Sequence, residues 1–110
     1  MQFMGSLYVG ESISSTEYKI VEKVHSGKMV PNLHLITMSF NQDNMLDIIP
    51  EWEVLQRDYP KDALKIVGIA NGRKEAFRLV QKMIEDSLQE TGSPDVRGFL
   101  RCKWEGQACR

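Results

Sequence analysis

The sequence has few cysteines, no long apolar run and almost no net charge, and each absence excludes a class of protein. Its two cysteines, Cys102 and Cys109, lie close together near the C-terminus, which is not the spacing of a secreted disulfide framework. We therefore expect both thiols to be reduced. No apolar run approaches the roughly 20 residues of a membrane span. A formal net charge of −1 argues against a dedicated nucleic-acid-coating surface, because such affinity comes chiefly from neutralised phosphates.

The residues that are present predict one ordinary globular domain. An apolar content of 42% and a charged content of 26% are close to the averages for soluble domains. The length of 110 residues predicts a single α/β domain over residues 1–110, with 104–110 as a frayed tail. Residues 1–5 lack the basic start and apolar centre of a signal peptide, so we expect a cytoplasmic protein.

The clearest local pattern is a buried strand followed by a long amphipathic helix. Residues 64–70 are apolar at nearly every position and rich in β-branched side chains, which is typical of a strand covered on both faces. Over residues 74–90, apolar side chains recur at three- and four-residue steps, as on one face of a helix. Gly92 is expected to end the helix in a left-handed cap, and Pro94 cannot continue it.

Shorter patterns predict the other elements: a strand over 3–10, a helix over 14–26, a hairpin of strands 33–40 and 45–49 around the loop 41–44, and a strand over 96–104. Ser14 and Glu17 have the spacing of a capping box, with Tyr18 on the apolar face of that helix. The last strand is predicted because apolar and basic residues alternate there. Residues 51–62 give no decisive pattern.

The predicted order is β-α-β-β-β-α-β, an α+β fold. The economical arrangement is a two-layer α/β sandwich, with a mixed sheet of four to five strands, two helices and a ferredoxin-like topology. A three-layer arrangement, with helices on opposite faces of the sheet, is the alternative.

One predicted ligand site lies where the long helix begins, at Asn71, Gly72, Arg73 and Lys74. Helix starts carry partial positive charge and free N–H groups, and here two cations replace the acidic residues that would stabilise the first turn. A phosphate or carboxylate is the expected ligand, and an ordinary solvated face is the simpler interpretation. Neither a dinucleotide-binding nor a P-loop motif is present, so no cofactor is predicted.

Arg97, Phe99 and Arg101 form a second candidate surface, on the outer face of the predicted last strand. Mixed basic and aromatic side chains are typical of RNA-binding sheets. The sequence lacks their aromatic motif and is slightly acidic, so nucleic acid is the less favoured partner.

No catalytic set or metal site is predicted. The spacing of Cys102 and Cys109 does not suit zinc, even with His25 or His34 added, so Cys102 is expected in the core and Cys109 in the tail. The remaining candidates are four acids that are best interpreted as surface carboxylates: Asp47, Glu51, Glu53 and Asp58.

Several segments resemble a family of short uncharacterised bacterial proteins over about residues 30–100: 33–37, 46–49, 66–70, 75–76, 79–80, 90–92 and 95–100. These are mostly core strand and helix signals. The family has no known activity, so the resemblance implies no functional residue.

The preferred hypothesis is a small cytoplasmic binding or assembly domain that acts as a homo-oligomer, most simply a homodimer, without catalytic activity of its own. It is motivated by the missing catalytic set and by four aromatic side chains available for an interface: Trp52, Tyr59, Phe99 and Trp104. The first alternative is a site for a small anionic ligand at residues 70–74, for which an enzymatic role is left open. The second is nucleic-acid binding through the last strand.

Overall fold

A mixed four-stranded sheet forms the centre of the fold in a computed structural model that describes residues 1–38, 46–56, 59–60 and 63–106. The strands are β1 (Gln2–Val9), β2 (Leu33–Met38), β3 (Leu46–Pro50) and β4 (Lys65–Asn71), in the order β1-β4-β2-β3. β1 runs parallel to β4, whereas β2 pairs antiparallel with both β4 and β3. The helices are a 3-10 helix (Glu11–Thr16), α1 (Glu17–His25), α2 (Glu51–Val54), α3 (Arg73–Thr91) and α4 (Val96–Trp104).

The predicted buried strand and long helix are confirmed as β4 and α3. Residues 66–70 of β4 are all buried, because this strand lies between β1 and β2 and is covered on both faces. Helix α3 ends at Gly92, which adopts a φ of 73° and donates its N–H to the Leu88 carbonyl, as expected for a left-handed cap. The hairpin of β2 and β3 is also confirmed, and its predicted loop 41–44 lies outside the described residues.

Two separate apolar clusters place helices on both faces of the sheet. One cluster joins the sheet to α3 and α4: Met4, Ile36, Val67, Ala70, Ala76, Leu79, Met83, Val96, Phe99 and Leu100. The other joins it to α1 and α2: Ile20, Val24, Leu33, Leu35, Ile49, Val54, Leu64, Ile66 and Ile69. The two-layer prediction is therefore wrong, and the helices lie as in the three-layer alternative.

The predicted strand over 96–104 is wrong, because these residues form helix α4. The Asp95 side chain accepts a hydrogen bond from the Gly98 N–H and caps the helix start. Val96, Phe99 and Leu100 are buried, as three- and four-residue steps require. Without this strand the sheet has four strands, and the ferredoxin-like topology is not confirmed.

The N-terminal helix differs from its prediction in its start and in its buried face. Ser14 lies in the 3-10 helix and donates its hydroxyl to the Glu11 carbonyl, so the predicted capping box does not form. Tyr18 is 81% exposed, whereas Ile20 and Val24, which belong to the same predicted apolar face, are buried as expected.

The C-terminal segment differs from its prediction as well. Trp104 belongs to α4 instead of a frayed tail, and residues 107–110 lie outside the described residues. Cys102 is half-buried and disulfide-bonded, so the expectation of a reduced thiol at this position is wrong. Within the described ranges, no helix combines the length and the apolar character needed to cross a membrane.

Candidate functional site

A cavity of about 430 Å³ lies between α4 and the beginning of β4. Its lining is basic with an aromatic and an aliphatic wall: Met38, Ala63, Lys65, Arg97, Arg101, Trp104 and Glu105. Three cations and one carboxylate thus face the same space. We name this feature the basic cavity.

Helix α4 supplies two of the cations through its periodicity. Arg97 and Arg101 are four residues apart, so they lie on the same side of the helix, one turn from each other. Val96, Phe99 and Leu100 anchor the other side in the core, which fixes how the helix is turned. The arginines therefore face the basic cavity as a consequence of which residues are buried.

The third cation comes from a different element. Lys65 is the first residue of β4 and is exposed, whereas the next five residues of that strand are buried. Its ammonium lies 5.9 Å from the centroid of the half-buried Trp104 ring, within the range of a cation–π interaction. Basic residues in the last turn of a helix stabilise its dipole. Of the three cations that line the basic cavity, this explains the presence of Arg101 only. Dipole stabilisation does not account for Lys65, which arrives from the sheet.

Asn71 and Gly72 of the predicted ligand loop, at the start of α3, form hydrogen bonds with other residues of the chain. The Asn71 N–H donates to Glu75 Oε1 at 3.0 Å, and the Gly72 N–H donates to the Asn32 carbonyl at 2.8 Å. The Asn32 amide also donates to Asn71 Oδ1 at 3.0 Å. An internal carboxylate therefore already occupies one of the N–H groups that an external anion would use.

The two predicted cations of this loop follow the end of β4 that is opposite to Lys65. The Arg73 guanidinium lies 5.6 Å from the centroid of the Phe77 ring, and Lys74 is exposed. Neither residue lines the basic cavity or a second cavity of about 310 Å³ beside β1 and α3. The site at Asn71, Gly72, Arg73 and Lys74 stays a prediction.

The structure separates the three residues of the predicted nucleic-acid surface. Phe99 is only 2% exposed, so its placement on an outer face is wrong. Arg97 and Arg101 do share one surface, although they share it on a helix and with Lys65. The sequence offered Arg97 and Arg101 as a pair, but it gave no sign that Lys65 would join them.

Glu51 is the exception among the four candidate acids, because it is buried. Its side chain is 1% exposed, and Oε1 accepts a hydrogen bond from the Val30 N–H. Among the described residues Oε2 has no hydrogen-bond partner. Burial raises the pKa of this carboxyl above its usual range, and the Val30 hydrogen bond opposes the shift only in part. The expectation of a surface carboxylate is therefore wrong for Glu51, whereas Asp58 lies outside the described residues.

Glu51 does not line either of the two cavities described above. In the described part of the chain, no group of three or more histidine, cysteine, aspartate or glutamate side chains is arranged to hold a metal ion. The basic cavity is consequently the arrangement with the clearest chemical character, an attraction for negative charge next to an aromatic ring.

No protein-family model matches the chain, and no curated protein or solved structure is significantly similar to it. The resemblance of residues 30–100 to short bacterial proteins stays a prediction.

Proposed function

We propose that the protein is a binding domain for a small organic anion, held in the basic cavity. The observation that carries this proposal is the convergence of Lys65, Arg97 and Arg101 from two elements onto one cavity beside Trp104. The ligand class is a phosphate- or carboxylate-bearing molecule with a planar or apolar body.

The charges around the basic cavity favour an anionic ligand. Among the described residues that line the basic cavity, three side chains are cationic and one, that of Glu105, is anionic. A bound anion would relieve the repulsion between the cations, and a guanidinium can hold a phosphate or carboxylate through two parallel hydrogen bonds. The dielectric constant is lower inside a cavity than in bulk water, which strengthens these attractions.

The walls of the basic cavity favour a ligand with more than a charged group. The Trp104 ring and the Met38 side chain supply apolar surface beside the cations. An aromatic ring can stack on a planar ligand body, as it does on nucleobases. A volume of about 430 Å³ suits a small molecule of this kind.

Isothermal titration calorimetry with inorganic phosphate, pyrophosphate and a nucleoside monophosphate tests this proposal. We expect binding that weakens with added salt and is tightest for the ligand that has both a phosphate and a planar ring. Arg101→Gln and Lys65→Gln should each weaken the binding about tenfold or more, since each removes a charged hydrogen bond or ion pair.

Lys74→Gln is the matched control, because it removes one positive charge from the exposed start of α3, away from the basic cavity. We expect it to leave the affinity within about twofold, as a distant surface charge should. Loss of binding in Lys74→Gln together with unchanged binding in Arg101→Gln would move the site to residues 71–74. Absence of binding to all three ligands at millimolar concentration would refute an anion site of either kind.

A further inference from the structure

Helix α3 carries a partly exposed apolar stripe, whose middle residue, Ile84, also packs against the core cluster that joins the sheet to α3 and α4. Phe77 and Leu88 are 53% and 46% exposed, and Ile84 between them is half-buried. These residues are separated by seven and four positions, so with Gln81 they follow one line along the helix. The sheet-facing side is a different set of residues: Ala76, Leu79, Met83 and Ser87.

We propose that this stripe is a two-fold dimer interface, in which α3 of one chain packs antiparallel against α3 of a second copy. The proposal is independent of the anion site, because the lining of the basic cavity includes none of the stripe residues Phe77, Gln81, Ile84 and Leu88. It assigns the homodimer expected from the sequence to a stripe that includes Phe77 and Leu88, which the apolar period of residues 74–90 predicted on the buried face.

The spacing of the stripe fits an antiparallel pair of identical helices. When two copies are aligned about the middle of α3, Phe77 lies opposite Leu88 of the second copy, and Gln81 lies opposite Ile84. Each exposed apolar side chain therefore meets an apolar side chain, and the symmetry of the pair repeats the contact at the other end. A parallel alignment would instead place Gln81 against Gln81 in the centre of the contact.

The charge order along α3 is self-complementary in the same alignment. Cations occupy its first half and acids mostly its second half: Arg73, Lys74, Arg78 and Lys82, then Glu85, Asp86 and Glu90. This order opposes the helix dipole within one chain. An antiparallel second copy turns it into attraction, because the basic half of each helix lies beside the acidic half of the other.

Arg78 and Glu85 form the specific pair of this interface. Both are exposed, and both flank the stripe on the same side. They are seven residues apart, or about 10 Å along the helix axis, so they do not pair within one chain. In the antiparallel alignment Arg78 of each chain lies near Glu85 of the other, which gives two equivalent ion pairs.

The size of the contact predicts a weak dimer. A helix of 19 residues is about 28 Å long, and one pair of such helices buries less area than the roughly 800 Å² per partner of a standard interface. We expect a dissociation constant in the micromolar range.

Sedimentation equilibrium of two charge-reversal variants tests the proposal. In Arg78→Glu, acids face acids in the homodimer, and in Glu85→Arg, cations face cations, so each variant alone should dimerise roughly tenfold more weakly than the wild type. An equimolar mixture of the two variants restores both opposite-charge pairs. We therefore expect a heterodimer in the mixture, of about wild-type affinity, at concentrations where each variant alone is monomeric.

Two matched controls separate this interface from general effects of charge and apolarity. Lys23→Glu makes the same charge reversal at an exposed position of α1 and should leave the dimer dissociation constant unchanged. Phe77→Ala should weaken the dimer at least several-fold, whereas Tyr18→Ala, at an 81% exposed aromatic residue of α1, should not. A wild-type chain that stays monomeric up to several hundred micromolar overturns the proposal, and so does a mixture that forms no heterodimer.

Discussion

Replacement of Phe99 by alanine tests whether residues 96–104 form the helix that builds the basic cavity. Phe99 is 2% exposed within the cluster beneath α3 and α4, and the Lys103 ammonium lies 5.3 Å from its ring centroid. Removal of a buried phenylalanine side chain costs about 3–5 kcal/mol of unfolding free energy. Loss of the cation–π contact adds about 0.5–1 kcal/mol or less at this partly exposed lysine. A domain with a total stability of about 5–15 kcal/mol would lose a large fraction of it.

Urea unfolding followed by tryptophan fluorescence or circular dichroism measures this loss as a lower midpoint at an unchanged m-value. Trp52→Ala is the control for circular dichroism, because Trp52 is 55% exposed and its removal should cost about 1 kcal/mol or less. In a strand with alternating faces, Phe99 would point outward with the arginines, and its removal would cost about 0.5 kcal/mol. A loss below about 1.5 kcal/mol for Phe99→Ala would therefore refute the helical placement.

Three further substitutions test the fold in other places by the same urea measurement. Gly92→Ala should lower the free energy of unfolding by about 1–2 kcal/mol, because an L residue is strained at the Gly92 φ of 73°. A Cβ at this position would have no atom within 4 Å, so the loss comes from the backbone alone, and an unchanged midpoint would contradict it. Gly68→Ala should cost about 1–3 kcal/mol, because its Cβ would lie 3.0 Å from the Met83 Cε and 3.3 Å from the Tyr8 carbonyl oxygen, and a more stable variant would contradict this. Glu51 has a raised pKa in the folded state, so the folded chain binds more protons than the unfolded one, and stability should fall as the pH rises above about 4.3. Glu51→Gln should lack this fall, and an equal pH dependence in variant and wild type would refute the role of Glu51.

The central strand and the long helix could be predicted because every local signal there agrees. Between residues 64 and 92 the apolar run, the glycine turn, the three- and four-residue period and the Gly92 cap all favour one structure. The core on both sides of β4 follows from the same run, since a strand that is apolar at consecutive positions places apolar side chains on both of its faces.

Residues 96–104 fit two periods at once, which is why their prediction failed. Val96, Leu100 and Trp104 are apolar at steps of four, and they are equally even-numbered members of an alternating strand. Asp95 was the signal that decides between them, because an aspartate after Pro94 and before an apolar residue is typical of a helix start. Glu51 offered no such signal, since the Val30 N–H that donates to its carboxylate lies 21 residues away in the chain.

Only part of the basic cavity could be predicted from local sequence patterns. Once 96–104 is helical, the i and i+4 spacing predicts that Arg97 and Arg101 share a side. Lys65 lies beside them only because α4 packs near the beginning of β4. Lys65 and Arg97 are more than 30 residues apart in the chain, so no local pattern predicts this contact. A site built from one helix could be predicted from spacing alone, whereas a site shared between a helix and a distant strand requires the topology. The same reasoning applies to the stripe on α3, whose residues were visible in the sequence but whose exposure depends on which face the sheet covers.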